Sequence, residues 1–216
     1  MTQKTKISIG LIWLFTFSGI LGITSTAQDW FLALTPLNLF LSFAIIVIHT
    51  ERIHKKILLA FSIPFFLGFI TEALGVNYGL LFGSYSYGSN LGLKVAGVPV
   101  MICINWVMLT VTTADLAKKI TTNKWVIALI GAFLMTLLDA VIEVSAPRFD
   151  FWEFEGGVVP LQNYIAWFCI AFTAHMGYQI FKPKTHKLIS MHVLVSMFVF
   201  FTIFLFIHSN ENIQSS

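Results

Sequence analysis

The chain has 216 residues, 57% of them hydrophobic and only 11% charged, with a mean hydropathy of +0.83. Soluble domains carry about 25% charged residues, so this chain lacks the polar side chains to cover a water-facing surface, and helices of about 20 residues would use nearly all of its length. Thirteen basic against ten acidic residues leave a net charge of +3, and the placement of those charges says more than their sum.

Seven apolar stretches follow in order, 7–26, 31–48, 57–74, 95–114, 125–144, 161–180 and 188–207, each near the length that crosses the hydrocarbon of a bilayer. Lys4 and Lys6 precede the first, as in a signal peptide, but that run is long and others follow, so it reads as a retained helix. Pro36 and Pro64 fall inside the second and third stretches, where bilayer helices tolerate kinks. The expected fold is an all-α membrane protein, a bundle of about seven transmembrane helices forming one polytopic domain over 1–216.

Lys4, Lys6, Arg52, Lys55, Lys56, Lys118, Lys119, Lys124, Lys182, Lys184 and Lys187 all fall on one side of that bundle, and only Lys94 and Arg148 on the other. Basic residues in short loops favour the cytoplasm, so the N-terminus is expected there. The two longer loops, 75–94 and 145–160, then face outward together. A repeat links them: Gly97-Val98-Pro99 has Trp106 seven residues after its proline, and Val158-Val159-Pro160 has Trp167 at the same spacing. Each loop also alternates aromatics, Phe82, Tyr85 and Tyr87 in one and Phe149, Phe151, Trp152 and Phe154 in the other. Asn105 and Asn163 place amides near the same outer ends. The pattern reads as an internal helix-loop-helix duplication facing a shared cavity.

A charged side chain at the centre of a membrane helix costs about 2.5–3.5 kcal/mol on insertion scales, so Glu72, Asp139 and Glu143 need a reason to be there. Asp139 and Glu143 are four residues apart, hence on one helix face, and all three lie toward the outward ends of their helices. Two carboxyls close together in a medium of low dielectric resist ionising at once, which suits a general acid. The plainer alternative is an interfacial set, solvated or paired with Arg148. Asp115, beside Lys118 and Lys119, reads as a solvated helix end.

His175 and His192 lie deep in apolar runs while His49, His54, His186 and His208 lie at predicted helix ends, and no two histidines have the i, i+3 or i, i+4 spacing of a metal site. Cys103 and Cys169 sit in apolar runs and read as packing residues. No phosphate loop, nucleophile elbow or metal-binding helix motif is present. The last stretch has no mid-membrane lysine that could hold retinal.

Pro64, Gly68, Glu72, Leu74-Gly75, Gly79, Phe82-Gly83, Tyr85, Tyr87, Leu91-Gly92, Gly97-Val98-Pro99 and Trp106, followed by Asp139, Pro147, Trp152, Gly157, Pro160, Asn163 and Trp167, resemble the two signatures of the CruF-type carotenoid hydratases. The resemblance covers roughly residues 64 to 167, about half of the chain; the flanking helices match in hydropathy alone. It implies addition of water to the terminal C1=C2 double bond of an acyclic, lycopene-like or gamma-carotene-like end group, giving a tertiary 1-hydroxy carotenoid. It further implies no cofactor and no metal, a carotenoid and water as partners within the bilayer, no nucleic acid, and a place beside other carotenoid-biosynthesis enzymes in a bacterial or archaeal cytoplasmic membrane. The catalytic candidates are Glu72, Asp139 and Glu143, with Glu143 the weakest transfer. Tyr85, Tyr87, Asn105, Trp106, Trp152, Asn163 and Trp167 are the substrate-binding candidates.

The residues themselves agree with such chemistry. A trisubstituted alkene is a very weak base, so protonating it takes a neutral carboxylic acid in a water-poor site, and aromatic faces would stabilise the tertiary cation that results. The same aromatics would equally suit an interfacial belt. Three rivals stand beside the hydratase: a proton- or cation-coupled transporter, a carotenoid end-group cyclase and a scaffold. Against the transporter, the cytoplasmic half is expected to bury few polar groups besides His175 and Asn38.

Overall fold

In the computed structural model the described residues are 1–51 and 53–214, with side chains to residue 208; Arg52 falls outside them. They form eight helices, α1 (Gln3–Ile23), α2 (Gln28–Ala33), α3 (Thr35–Ile48), α4 (Lys55–Tyr78), α5 (Val100–Ala117), α6 (Lys124–Glu143), α7 (Leu161–Ile180) and α8 (Lys187–Gln214). Four short strands, β1 (Tyr85–Tyr87), β2 (Lys94–Val95), β3 (Val98–Pro99) and β4 (Trp152–Phe154), lie in the two long loops.

Five helices, α1, α4, α5, α6 and α8, are long and apolar enough to cross a membrane. The other two expected spans depart from that standard for different reasons. Over 31–48 the chain does not kink but breaks: α2 ends at Ala33 and α3 starts afresh at Thr35 with Pro36 in its first turn, leaving α3 only 14 residues. Proline in a first turn loses no helical hydrogen bond and disfavours helix in the residue before it, which makes Pro36 a start rather than a bend. α7 has 20 residues but spends several on Gln162, Asn163, His175 and Gln179. α4 by contrast runs unbroken through the buried Pro64.

α5 is the central helix, with every residue from Trp106 to Asp115 buried. Where lipid is the solvent, helices are held by close packing more than by exclusion of water. Small residues accordingly mark the contacts, among them the fully buried Ala114, Ala117, Ala128, Ala132, Ala171 and Ala174.

The two ends of the bundle differ in kind. At the basic end Lys4 Nζ donates to the Ile48 carbonyl at 2.5 Å and Lys187 Nζ to the Lys118 carbonyl at 3.4 Å. Asp115 belongs here and is not solvated: it is buried, accepting from Thr185 Oγ1 (2.6 Å) and Ser190 Oγ (2.7 Å), with Lys118 Nζ at 3.5 Å. This node ties α5 to the start of α8. The i, i+3 lysine was legible in sequence, but the two hydroxyls, 70 and 75 residues away, were not.

The expected scarcity of buried polar groups in this half also fails, because Thr113, Asp115 and Ser190 are buried there alongside His175. Asn38 was misassigned as well: it lies one turn into α3 beyond Pro36, which packs against Gly92 of the opposite loop end, and it is exposed. A layer of Leu109, Met135 and Ala171, all buried, separates Thr113 and His175 from the residues one turn nearer that loop end.

At the other end the two long loops pair. β1 runs antiparallel to β4 with Tyr85 opposite Phe154, Ser86 opposite Glu153 and Tyr87 opposite Trp152. The register is unchanged if the two strands are exchanged. Asp150 Oδ2 accepts from Ser89 N (2.7 Å) and Ser89 Oγ (2.5 Å), and Asn90 Nδ2 donates to the Phe149 carbonyl at 2.9 Å. These bonds lock one loop to the other.

Candidate active site

The paired loops roof a small cavity of ≈ 30 Å³ between α4, α5, α6 and α7, room for a water or two. Glu72, Asp139 and Glu143 line it, with Asn105 and Asn163 beside them and Tyr85, Tyr87, Trp152 and Trp167 as walls. Trp106 is the one candidate that stands behind the wall, stacked on Trp167 with ring centroids 4.4 Å apart and planes 12° from parallel. The two tryptophans seven residues after Pro99 and Pro160 therefore meet face to face.

Each carboxyl has its own set of donors. Glu72 Oε1 accepts from the Trp106 indole at 3.0 Å, and Oε2 accepts from the Tyr85 hydroxyl and from the Tyr87 hydroxyl at 2.7 Å. Three converging donors are the partner set of an acceptor. Burial and the adjacent Glu72 carboxylate push both phenols above their ordinary range, which keeps their protons in place for donation. The Asn163 amide bridges the other two carboxyls through Nδ2, at 3.0 Å from Asp139 Oδ2 and 3.3 Å from Glu143 Oε1, while the Trp152 indole donates to Glu143 Oε2 at 2.9 Å. Among the described residues Asp139 thus receives a single hydrogen bond, where Glu72 receives three.

Two glycines of α4 make the Glu72 site possible. A Cβ at Gly68 would lie 2.5 Å from the Trp106 ring, and one at Gly75 would lie 2.8 Å from the Tyr85 ring. Any side chain there would push those donors off the helix that carries Glu72. Asn105 has no such engagement: among the described residues its buried Oδ1 finds no hydrogen-bond partner, which leaves that oxygen available to a water in the cavity.

Phe82 and Phe154, both part of the loop aromatic pattern, complete the lining together with Ile102, Leu109 and Ile142, which the sequence did not single out. Ile142 lies one turn beyond Leu138 on the inward face of α6, so helical periodicity offered a signal for it. Phe154 is placed by the pairing of β4 with β1; the loop's aromatic pattern contained it, but not its partner strand.

The family model for carotenoid biosynthesis proteins matches residues 34–213. The chain belongs to that family. Neither the curated proteins nor the solved structures contain a match. For this carotenoid biosynthesis protein the matched segment takes in α3 to α8, and so every residue that lines the carboxyl cavity. Its five bilayer-length helices suit a family whose substrates dissolve in lipid. Among the described residues no cluster of histidine, cysteine and carboxylate side chains has the makings of a metal site.

Proposed function

We propose that this carotenoid biosynthesis protein is a carotenoid 1,2-hydratase that adds water to the terminal C1=C2 bond of an acyclic end group. The observation that carries the reading is the meeting of three carboxyls, a water-sized space and aromatic walls in one cavity. The reaction needs a protonated carboxyl beside C2, faces that stabilise a tertiary cation at C1, and a water held for attack with a base to take its surplus proton. The polytopic arrangement supporting this has seven spans, counting α2 with α3 as one and including α7, with the basic end in the cytoplasm and the paired loops outside.

The roles divide by hydrogen bonding. Asp139, with one donor, gives its proton to C2. The positive charge that forms at C1 lies among Tyr85, Tyr87, Trp152 and Trp167, whose faces are worth about 2 kcal/mol when desolvated, and opposite Glu72, held as an acceptor by its three donors. Asn105 positions the water, and its attack on C1 forms the C–O bond. Glu143, linked to Asp139 through Asn163, takes the proton that the oxonium releases, and exchange between the two carboxyls restores the acid. Protons balance over the cycle, and the net change is one water added.

Expression in a bacterial host that accumulates lycopene, with a gamma-carotene host in parallel, tests this by chromatography with mass detection. A product heavier by one water with unchanged polyene absorption is expected. Unaltered mass with a shifted retention time identifies a cyclase instead. Unaltered pigment despite good membrane expression overturns the reading for these two substrates.

A further inference from the structure

A second and larger cavity, ≈ 360 Å³, lies between α1, α2, α3 and α8, the size of a ligand pocket rather than of a packing defect. Most of its wall is apolar, with Ile23, Phe31, Leu39, Met197 and Phe200 among the lining residues. The two cavities draw on neighbouring positions of the chain: Met108 and Phe151 line the larger space, and their chain neighbours Leu109 and Trp152 line the smaller. The Phe151 and Trp152 rings lie 6.2 Å apart at 30°. One side of the cavity is polar. Thr35, Asn38 and Ser42 share a face of α3 at helical spacing, and Ser18 of α1 lines the same space.

Two other lining hydroxyls, those of Thr16 and Ser196, donate to carbonyls of their own helices, at 2.8 Å in each case. The side chains of Ser18, Thr35, Asn38 and Ser42 have no hydrogen-bond partner among the described residues. Asn38 is exposed to this space, and a pure hydrocarbon filling the cavity would cover its amide without offering it a partner, which is costly.

We infer that this cavity seats the isoprenoid chain of the substrate next to its reacting end, and that its polar side selects chains bearing an oxygen function, a hydroxyl or a carbonyl. The inference rests on the hydratase reading for the direction in which the chain lies. The ligand itself is an oxygenated isoprenoid, with its polyene against Phe31 and Phe200 and its oxygen on Asn38.

Binding is measured on the purified full-length protein in detergent, by titrating lycopene and its 1-hydroxy derivative and following the protein-induced circular dichroism of the polyene. The Asp139→Asn variant is used in parallel so that turnover does not enter. The 1-hydroxy compound is expected to bind about tenfold more tightly, in line with one buried hydrogen bond to an otherwise unpaired amide. Asn38→Leu brings the two affinities together, and Ser42→Phe, which fills the cavity, weakens both about tenfold or more. If Ser42→Phe lowers the yield of folded protein, Ser18→Met fills the space from the opposite helix with less bulk.

Binding unaffected by either filling variant overturns the seat, and a preference that survives Asn38→Leu overturns the selection of oxygen. Failure of the hydratase reading looks different: binding persists with the same variant pattern while pigment in cells stays unaltered.

Discussion

Asp115 and Glu72 are both buried carboxylates near a helix end, and the company each keeps sets them apart. Asp115 sits between a lysine and two hydroxyls, Lys118, Thr185 and Ser190, and lines neither cavity. Glu72 takes its hydrogen bonds from two phenols and an indole and lines a cavity with two further carboxyls. A buried charge beside a cation is a fastening. A group of carboxyls held by neutral donors around an open space stores insertion cost without that compensation, which is characteristic of intramembrane functional sites.

Substitutions on the two sides should separate these roles. Asp139→Asn is expected to have the largest effect, lowering hydroxylated product by about 10²–10⁴-fold, the usual worth of a general acid, while immunoblotting finds normal protein in the membrane. Glu72→Gln should lower it by about 10²-fold, by removing the carboxyl held opposite the cation; full activity in this variant excludes Glu72 from the chemistry. Trp152→Phe, which keeps a ring but loses the indole proton on Glu143, should cost about tenfold in product per protein.

At the basic end, Asp115→Asn should leave turnover per folded protein unchanged. It should lower the unfolding temperature by several degrees, because an amide cannot satisfy Lys118, Thr185 and Ser190 together and an unsatisfied buried partner costs about 1–3 kcal/mol. A loss of turnover at full stability would break the comparison from that side.

The smallest effect concerns acid. The Ser89 hydroxyl and backbone amide hold the exposed Asp150 carboxyl below its usual range. A carboxyl depressed in the folded state contributes stability that is present above its unfolded value, about 3.9, and is lost as pH falls through the lower folded value. Thermal melts between pH 6 and pH 3 should therefore show a slightly steeper loss for the native protein than for Asp150→Asn.

The apolar runs revealed the helices because each carries its own length and composition, and the family match over 34–213 bears out the resemblance drawn from the glycine, tyrosine and tryptophan pattern. Where sequence misled, the deciding partner was distant or the deciding effect was local backbone chemistry. Pro36 was read as a kink because hydropathy continues across it, yet proline in a first turn starts a helix. Asp115 reads as solvated in sequence because its visible neighbour is a lysine, whereas its other partners are Thr185, just before α8, and Ser190 in the first turn of α8. The larger cavity had no motif at all, since its wall is assembled from residues scattered over α1, α2, α3 and α8, with Met108 and Phe151. The carboxyl cavity was the easier case, because Glu72 and the Asp139–Glu143 pair are conspicuous charges in apolar helices and the two Pro–Trp spacings point to one end.

The lock between Ser89 and Asp150 joins residues 61 positions apart in the chain, with the whole of α5 and α6 between them. A ribosome feeding this chain into a membrane delivers Glu72 and its tyrosines well before the strand that pairs with them. The carboxyl cavity thus has no paired roof until α5, α6 and the strand that follows them have been made. Nascent protein with half its helices inserted has Glu72 but neither Asp139 nor Glu143, so the cavity is completed late in synthesis.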